Sequence, residues 1–155
     1  MLRYQCILVP TDFSGSATDA VHAAAELARQ YKTELHLLHI VAAQMYYAEI
    51  PEMMLPPMEG LTEQLRASGK EKLEKLASDM SKNLHPHIHI EESAMRPADA
   101  IVETAANIKA NLIVIGSHGR TGLMHILLGS TAERVVREAA CDVLVIKPEK
   151  SHRHP

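Results

Sequence analysis

The chain has 155 residues, a formal net charge of −3 at pH 7, and 46% apolar and 23% charged residues. This length and composition predict one globular domain, and the slight negative charge excludes the broad basic surface with which proteins bind nucleic acids or anionic membranes. Any site for an anion must therefore be local, built from main-chain N–H groups and one or two basic side chains.

Features that report the cellular compartment favour the cytoplasm. The two cysteines, Cys6 and Cys141, lack CxxC spacing and adjoin apolar runs, so we predict buried thiols in a reducing environment and no disulfide. The N-terminus lacks a charged segment followed by a long apolar one, and no apolar run approaches the roughly 18 residues of a membrane span. We therefore expect neither a signal peptide nor a transmembrane helix.

Short apolar runs alternate with helical patterns along the chain. The first run, residues 6–9, precedes a helical pattern that begins near Ala17 and that Ser14 is placed to cap. The second run, 35–41, is followed by an irregular stretch, 44–60, and then by a second helical pattern. The irregular stretch is rich in Tyr, Met and Pro and is too long for an ordinary connection, so we expect a lid or a partly ordered loop there.

The second half of the chain continues this alternation. The third run, 88–90, leads to a helix with Pro97 in its first turn. The fourth run, 112–115, leads through a glycine-containing segment to a helix that Ser130 is placed to cap, and the fifth run is 143–146. Five strands alternating with four helices predict an α/β fold with an open parallel sheet and right-handed crossovers.

The most informative segment follows the fourth run. It is a loop with three glycines, and Gly129, Ser130 and Thr131 then open a helix. Glycine lets the main chain approach a ligand closely, and the unpaired N–H groups of a helix N-terminus suit a phosphate. The guanidinium group of Arg120 can donate paired hydrogen bonds to a phosphate, and the hydroxyl groups of Ser130 and Thr131 can donate further ones.

The alternative interpretation of this segment is a long turn that leads to a capped helix. The segment is neither a P-loop nor the dinucleotide-binding fingerprint, because Gly-Lys-Ser/Thr and the G-x-G spacing are missing.

The spacing of the glycines resembles a family motif. Two residues separate Gly116 from Gly119, nine separate Gly119 from Gly129, and Ser130 follows, which is similar to the G-x2-G-x9-G-S/T motif of the ATP-binding branch of the universal stress protein family. The opening strand with Asp12 after it, and the closing strand, also resemble that family. The resemblance implies a three-layer, Rossmann-like fold with strand order 3-2-1-4-5, in which ligands bind beyond the carboxyl ends of the first and fourth strands.

The resemblance also implies roles for individual residues in binding ATP. The residues assigned to the base and ribose are Pro10, Thr11, Asp12 and Val41. Those assigned to the phosphates are Gly116, Gly119, Gly129 and Ser130, with Arg120 beside them and Ile115 and Thr131 at the edge. Asp12 has an alternative structural role, which is to cap the first helix or tie its loop. A carboxylate beside a polyphosphate is repelled unless Mg²⁺ intervenes or it faces ribose hydroxyls, so Mg²⁺ is expected with ATP.

Histidines form a second pattern in the sequence. His85, His87 and His89 alternate along the third strand and so share one face, where imidazoles can bind a transition metal. We favour the alternative, a solvated face of an edge strand, because no acidic or sulfur ligand has matching spacing, and we assign no metal ligand. His36 and His39 lie on opposite faces of the second strand.

Three functions stay open from the residues: a nucleotide-dependent stress-response regulator or sensor, a slow ATP hydrolase or self-phosphorylating protein, and a nucleotide-independent dimeric interaction module. We favour the first. The glycine spacing argues against the third, and no general base for phosphoryl transfer is identifiable by spacing, so no catalytic residue is assigned. AMP or a cyclic nucleotide is an alternative ligand.

The resemblance further implies a homodimer. The fifth strand, predicted from Asp142 to Lys147, would form an apolar edge of the sheet, and such edges tend to pair with another strand. Two copies that pair in this way are related by a two-fold axis. We expect the single domain to cover residues 1–148 and a polar, disordered tail to cover 149–155.

Overall fold

The computed structural model describes residues 4–42, 51–54, 60–80, 82–118 and 128–148. Most of the stretch 44–60, predicted as a lid or a partly ordered loop, lies outside these ranges, and so does the predicted tail, 149–155. The described strands and helices are, in chain order, β1 (Cys6–Pro10), α1 (Gly15–Tyr31), β2 (Glu34–Val41), α2 (Leu61–Asp79), β3 (His87–Glu92), α3 (Pro97–Asn107), β4 (Leu112–Gly116), α4 (Ser130–Glu138) and β5 (Asp142–Ile146). A 3-10 turn at Glu52–Met54 precedes α2.

The five strands form one parallel sheet in the order β3-β2-β1-β4-β5. This order confirms the α/β fold and the strand order implied by the family resemblance. β1 lies at the centre of the sheet, and all five of its residues are buried. Strands that are covered on both faces read as continuous apolar runs, which is why the first and fourth runs were predicted within one residue.

Helices cover both faces of the sheet and make three layers. On one face, α1 and α2 pack against side chains such as Ile7, Val9 and Leu37. On the other face, α3 and α4 pack against Leu8 and Ile113 among others. Successive strand residues point to opposite faces, so β1 supplies side chains to both cores.

Two helix starts follow the predicted signals. Ser14 Oγ accepts a hydrogen bond from the N–H of Ala17 over 3.3 Å, which confirms Ser14 as the cap of α1. Pro97 stands in the first turn of α3, where its missing N–H has no acceptor to lose. Across the described part of the chain, we found no helix of the length and apolarity that a membrane span requires.

Candidate functional site

The chain reverses its direction of winding between β1 and β4, which are neighbours in the sheet. The loops that follow these two strands therefore leave the sheet at the same carboxyl edge, and open α/β sheets bind ligands at such a point. The predicted residues Thr11, Asp12, Ile115 and Gly116 all lie at this edge. We call the space between the loops after β1 and β4 and the start of α4 the cleft.

The loop after β1 is held by its own side chains. Thr11 is 5% exposed, its N–H donates to the Leu38 carbonyl over 2.8 Å, and its hydroxyl oxygen accepts from the N–H of Phe13 over 3.0 Å. Asp12 Oδ1 accepts a 2.9 Å hydrogen bond from the N–H of Ser14. The loop-tying role that we gave as the alternative for Asp12 is therefore present.

The same loop packs against β2 and α2 through an imidazole. His39 Nδ1 donates to the Thr11 carbonyl over 2.9 Å, and the centroid of its ring lies 4.6 Å from that of Phe13. Gly69 of α2 faces this ring, and a Cβ at Gly69 would lie 2.5 Å from Cδ2 of His39. Neighbouring elements thus fix the loop that carries Thr11 and Asp12.

The segment after β4 is buried and hydrogen-bonded. Ser117 is fully buried, its N–H donates to the Ile146 carbonyl over 2.9 Å, and its hydroxyl shares a 2.8 Å hydrogen bond with His118 Nδ1. The Ser117 carbonyl accepts a 2.6 Å hydrogen bond from the N–H of Gly129. The chain therefore leaves β4 and returns to α4 at one place, beside the cleft.

Gly116 has a packing reason to be glycine. A Cβ at this position would lie 2.7 Å from the carbonyl oxygen and 2.8 Å from the carbonyl carbon of Ser16, in the first turn of α1. The N–H of His118 donates to Ser16 Oγ over 3.4 Å and holds the same contact. Gly116 therefore allows α1 to pack closely against the end of β4.

The N-terminus of α4 differs from the prediction. Gly129, not Ser130, holds the cap position in extended conformation, and no described side chain caps the helix, so the prediction that Ser130 caps α4 was wrong. The reason is that main-chain hydrogen bonds hold Gly129 at the cap position. Its N–H donates to the Ser117 carbonyl, and its own carbonyl accepts from the N–H of Glu133 over 2.9 Å. Ser130 becomes the first helical residue and is exposed.

A cavity of about 650 Å³ lies beside this helix N-terminus, a volume within the usual range for small-molecule sites. Ala42 after β2, Ser93 after β3 and Arg96 before α3 line it, together with Ser130 and Thr131 of α4. Two predicted site residues, Ser130 and Thr131, are thus brought to a cavity of suitable size at the carboxyl edge of the sheet.

The arginines that line the cavity are paired with carboxylates. Arg96 Nε lies 3.2 Å from Asp99 Oδ2, and Arg134 Nε lies 3.3 Å from the other oxygen of the same carboxylate. Arg137 pairs with Glu133 over 2.6 Å. These contacts use one or two of the five N–H donors of each guanidinium group, so the remaining donors and the main-chain N–H groups at the start of α4 can both serve an anion in the cavity.

The remaining predicted residues are of two kinds. Gly119 and Arg120 lie outside the described residues. Pro10 and Val41 are buried at the carboxyl ends of β1 and β2, and the Val41 carbonyl accepts from the N–H of Ser93 over 3.1 Å. Val41 is only 3% exposed, so its side chain is part of the packed interior.

Comparison with known proteins decides the family. A model of the universal stress protein family matches residues 3–147. The universal stress protein MJ0531 of Methanocaldococcus jannaschii is 37% identical over 151 residues, which are 95% of this chain and 84% of that relative. The chain belongs to the universal stress protein family. The predicted resemblance is therefore confirmed at the level of the family.

Solved universal stress proteins share this fold. The protein UspA from Lactobacillus plantarum has a TM-score of 0.77 and 28% identity, covering 94% of this chain and 99% of that one. The universal stress protein from Archaeoglobus fulgidus solved in complex with dAMP has a TM-score of 0.67 and 26% identity, covering 94% of this chain and all of that one. The described fold is thus the fold of the family.

Sequence reasoning missed the contribution of the β3–α3 connection. Ser93, Met95 and Arg96 line the cavity, and none of them belongs to the glycine motif. A signal was available, because these residues follow a predicted strand at its carboxyl end, where open α/β sheets bind ligands. The long side chain of Arg134, one turn into α4, was likewise not predicted to reach the cavity.

Three histidines, His36, His87 and His89, gather at the amino edge of the sheet, away from the cleft. The ring of His36 stacks on those of His87 and His89, with centroids 4.5 Å and 5.1 Å apart, and His36 Nδ1 lies 2.8 Å from His89 Nε2. Burial lowers the pKa of His36 and of His89 below the ordinary histidine value, and burial raises the pKa of the Cys6 thiol. His85 precedes β3, so the prediction that it lies on this strand was wrong. The predicted solvated face is correct for the exposed His87 and wrong for the half-buried His89.

Proposed function

We propose that this chain is an ATP-binding stress-response regulator whose nucleotide occupies the cleft and the adjoining cavity. The observation that carries the proposal is the start of α4, which no described side chain caps and which faces a cavity of about 650 Å³. A helix N-terminus without a capping side chain attracts an anion through its unpaired N–H groups and its positive dipole end. The Archaeoglobus fulgidus relative in complex with dAMP supports an adenine nucleotide as the ligand.

We assign the phosphates of the nucleotide and its base and ribose to two different groups of residues. Ser130 and Thr131 open α4 and line the cavity, so we assign the phosphates to them and to the main chain around Gly129. The half-buried Asp12 lies at the carboxyl edge of the sheet, and we assign it to the base and ribose. When bound, Mg²⁺ would supply positive charge that neutralises the phosphates, and the Asp12 carboxylate is a group that could hold it.

The other assignments in this proposal follow the family resemblance. Pro10, Thr11 and Val41 belong to the base and ribose side, with Ile115 at the edge. Gly116, Gly119 and Arg120 belong to the phosphate side. In the structure Gly116 supports this side indirectly, because it sets the position of α1 and of His118 beside the cleft.

Binding is favoured over turnover by the state of Asp12. This carboxylate is an acidic group at the carboxyl edge, and one of its oxygens is held by the N–H of Ser14. A general base must reach the proton that it removes, and a carboxylate tied to its own loop is restricted in doing so. We therefore assign no catalytic residue.

Titration calorimetry of the purified full chain with Mg·ATP, ADP, AMP and cyclic AMP tests the proposal. We expect one nucleotide per chain and the tightest binding for ATP, because the triphosphate offers the helix N-terminus more charge. Mass spectrometry of the small molecule that co-purifies with the protein gives an independent identification. Absence of heat with all four nucleotides would overturn the proposal.

A single-turnover assay separates the regulator from a slow hydrolase. The regulator is expected to retain ATP at the stoichiometry of the chain without releasing ADP. Steady release of ADP under the same conditions would support the hydrolase instead. The two outcomes differ in the fate of the nucleotide, so calorimetry alone does not replace this assay.

We also propose a homodimer that forms through β5, the strand predicted from Asp142 to Lys147. β5 pairs only with β4 in the described sheet, and Leu144 is 38% exposed on it. Val145 packs against the core of its own chain, so replacing it would disturb the monomer itself. Leu144 is therefore the better position at which to test the edge.

Leu144→Lys is expected to raise the dimer dissociation constant about tenfold or more, because a buried charge in the interface lacks a partner. Light scattering over a dilution series measures the change. Met54→Lys is the control, since Met54 is 75% exposed and lies outside the sheet. An unchanged dimer in Leu144→Lys would count against the fifth-strand interface.

A further inference from the structure

A cysteine, a glutamate and a histidine meet at the amino edge of the sheet, opposite the cleft. Cys6 is the first residue of β1, and Glu34, the first residue of β2, is its partner in the parallel register. His36 stands two residues after Glu34, so all three side chains point to the same face of the sheet. Their Sγ, carboxylate oxygen and imidazole nitrogen lie within 4.8 Å of one another.

The imidazole of His36 has an unsatisfied nitrogen that points into this group. His36 is 8% exposed, and its Nε2 is buried without a hydrogen-bond partner. Glu34 Oε2 lies 3.5 Å from Nε2 without making a hydrogen bond, and the two groups would form an ion pair only if His36 were protonated. A buried polar atom without a hydrogen-bond partner destabilises a fold, so this nitrogen calls for a ligand or water to satisfy it.

We propose that Cys6, Glu34 and His36 bind a transition-metal ion of the Zn²⁺ class. Thiolate, imidazole and carboxylate are the protein ligands of Zn²⁺, whereas Mg²⁺ and Ca²⁺ prefer oxygen alone. Bonds of about 2.0–2.1 Å in a tetrahedron place two ligand atoms about 3.4 Å apart. The 3.5 Å between His36 Nε2 and Glu34 Oε2 already matches that separation.

The main chain of Cys6 is held by two hydrogen bonds to Asn111. The N–H of Cys6 donates to Asn111 Oδ1 over 3.1 Å, and the Cys6 carbonyl accepts from the N–H of Asn111 over 3.0 Å. Cys6 Sγ itself makes only a weak 3.8 Å hydrogen bond with the Ile108 carbonyl. A metal ion would replace that weak bond by a much stronger one without moving β1.

A second layer of contacts orients the histidine ligand. His36 Nδ1 lies 2.8 Å from His89 Nε2, so a proton on Nδ1 is satisfied by His89 and the lone pair on Nε2 is left for the metal. Metal-binding histidines usually donate their other ring N–H in this manner. The side chain of Glu34 is 68% exposed, which gives the ion a path from solvent and leaves a fourth position for water.

Titration of the reduced full chain with Co²⁺ tests this site, since Co²⁺ reports thiolate ligation through a charge-transfer band in the near ultraviolet. We expect one Co²⁺ per chain, the thiolate band, and displacement of Co²⁺ by Zn²⁺. Cys6→Ser is expected to abolish the band, whereas the control Cys141→Ser, which alters the other free cysteine, should keep it. The titration contains no nucleotide, so its outcome is independent of the ATP proposal.

Glu34→Gln keeps the test decisive if Cys6→Ser fails to fold. The exposed side chain tolerates the isosteric change, and we expect Co²⁺ affinity to fall at least about tenfold while the circular dichroism spectrum is unchanged. Absence of the thiolate band in the unaltered chain, its survival in Cys6→Ser, its loss in Cys141→Ser, or unchanged affinity in Glu34→Gln would each overturn the proposal. Imidazoles of His152 and His154 give no thiolate band, so binding to the C-terminal tail is distinguished.

Discussion

Gly116→Ala is expected to lower the free energy of unfolding by about 2–3 kcal/mol, at the upper end of the overpacking range. The added Cβ would lie 2.5 Å from Oγ, 2.7 Å from the carbonyl oxygen and 2.8 Å from the carbonyl carbon of Ser16. Two of these three atoms belong to the main chain of the first turn of α1. A side chain can rotate away from a clash, but a helical main chain can yield only if α1 moves.

Gly15→Ala is the matched control for this measurement. It stands one residue before Ser16, at the first position of α1, and a Cβ there would meet nothing within 4 Å. We expect a change within about 0.5 kcal/mol, or a slight gain in stability because alanine favours the helix. Urea denaturation of both variants gives the comparison. Equal effects of the two substitutions would contradict the packing role of Gly116.

Ser130→Asp is expected to weaken ATP binding at least about tenfold, which corresponds to about 1.4 kcal/mol. Ser130 is exposed, opens α4 and lines the cavity, so a carboxylate there would occupy the anion position and repel a polyphosphate. The same charge at a helix N-terminus stabilises the fold by about 0.3–1 kcal/mol. Lost binding with unchanged or raised stability is therefore the expected combination.

Two control variants test whether the effect of Ser130→Asp comes from its charge, and whether that charge must lie at the start of α4. Ser130→Asn has the shape of the aspartate variant without its charge, so we expect it to retain most of the affinity. Thr62→Asp puts the same charge in the first turn of α2, away from the cavity, and should leave ATP binding unchanged. Calorimetry with Mg·ATP measures all three. Full affinity in Ser130→Asp would contradict the assignment of the phosphates to the start of α4.

The strands were predicted best where both faces are buried. β1 and β4 coincide with uninterrupted apolar runs, because an interior strand needs apolar side chains on both sides. β3 was predicted at 88–90 but extends over His87–Glu92. The apolar run did not reveal its polar ends, and its length is set by pairing with β2, from His36 opposite His87 to Val41 opposite Glu92.

The sequence predicted only some of the residues that the structure brings to the carboxyl edge of the sheet. The glycine spacing and the loop after β1 pointed to the carboxyl edge, where the structure places Asp12, Gly116 and Ser130. The cavity also needs Ser93 and Arg96, which reach it because β3 ends beside β2. No local pattern announces such a contribution, since it depends on which strands are neighbours.

The amino-acid sequence by itself determined the alternation of strands and helices, the buried character of the central strands and the glycine spacing that resembles the family motif. These features are local, because they follow from side-chain periodicity and from what each residue permits its own main chain. Only the tertiary structure decided that Gly129 takes the cap of α4, that Gly116 makes room for Ser16, and that Cys6 meets His36. Each of these depends on contacts between segments that are distant along the chain and adjacent only after the sheet has formed.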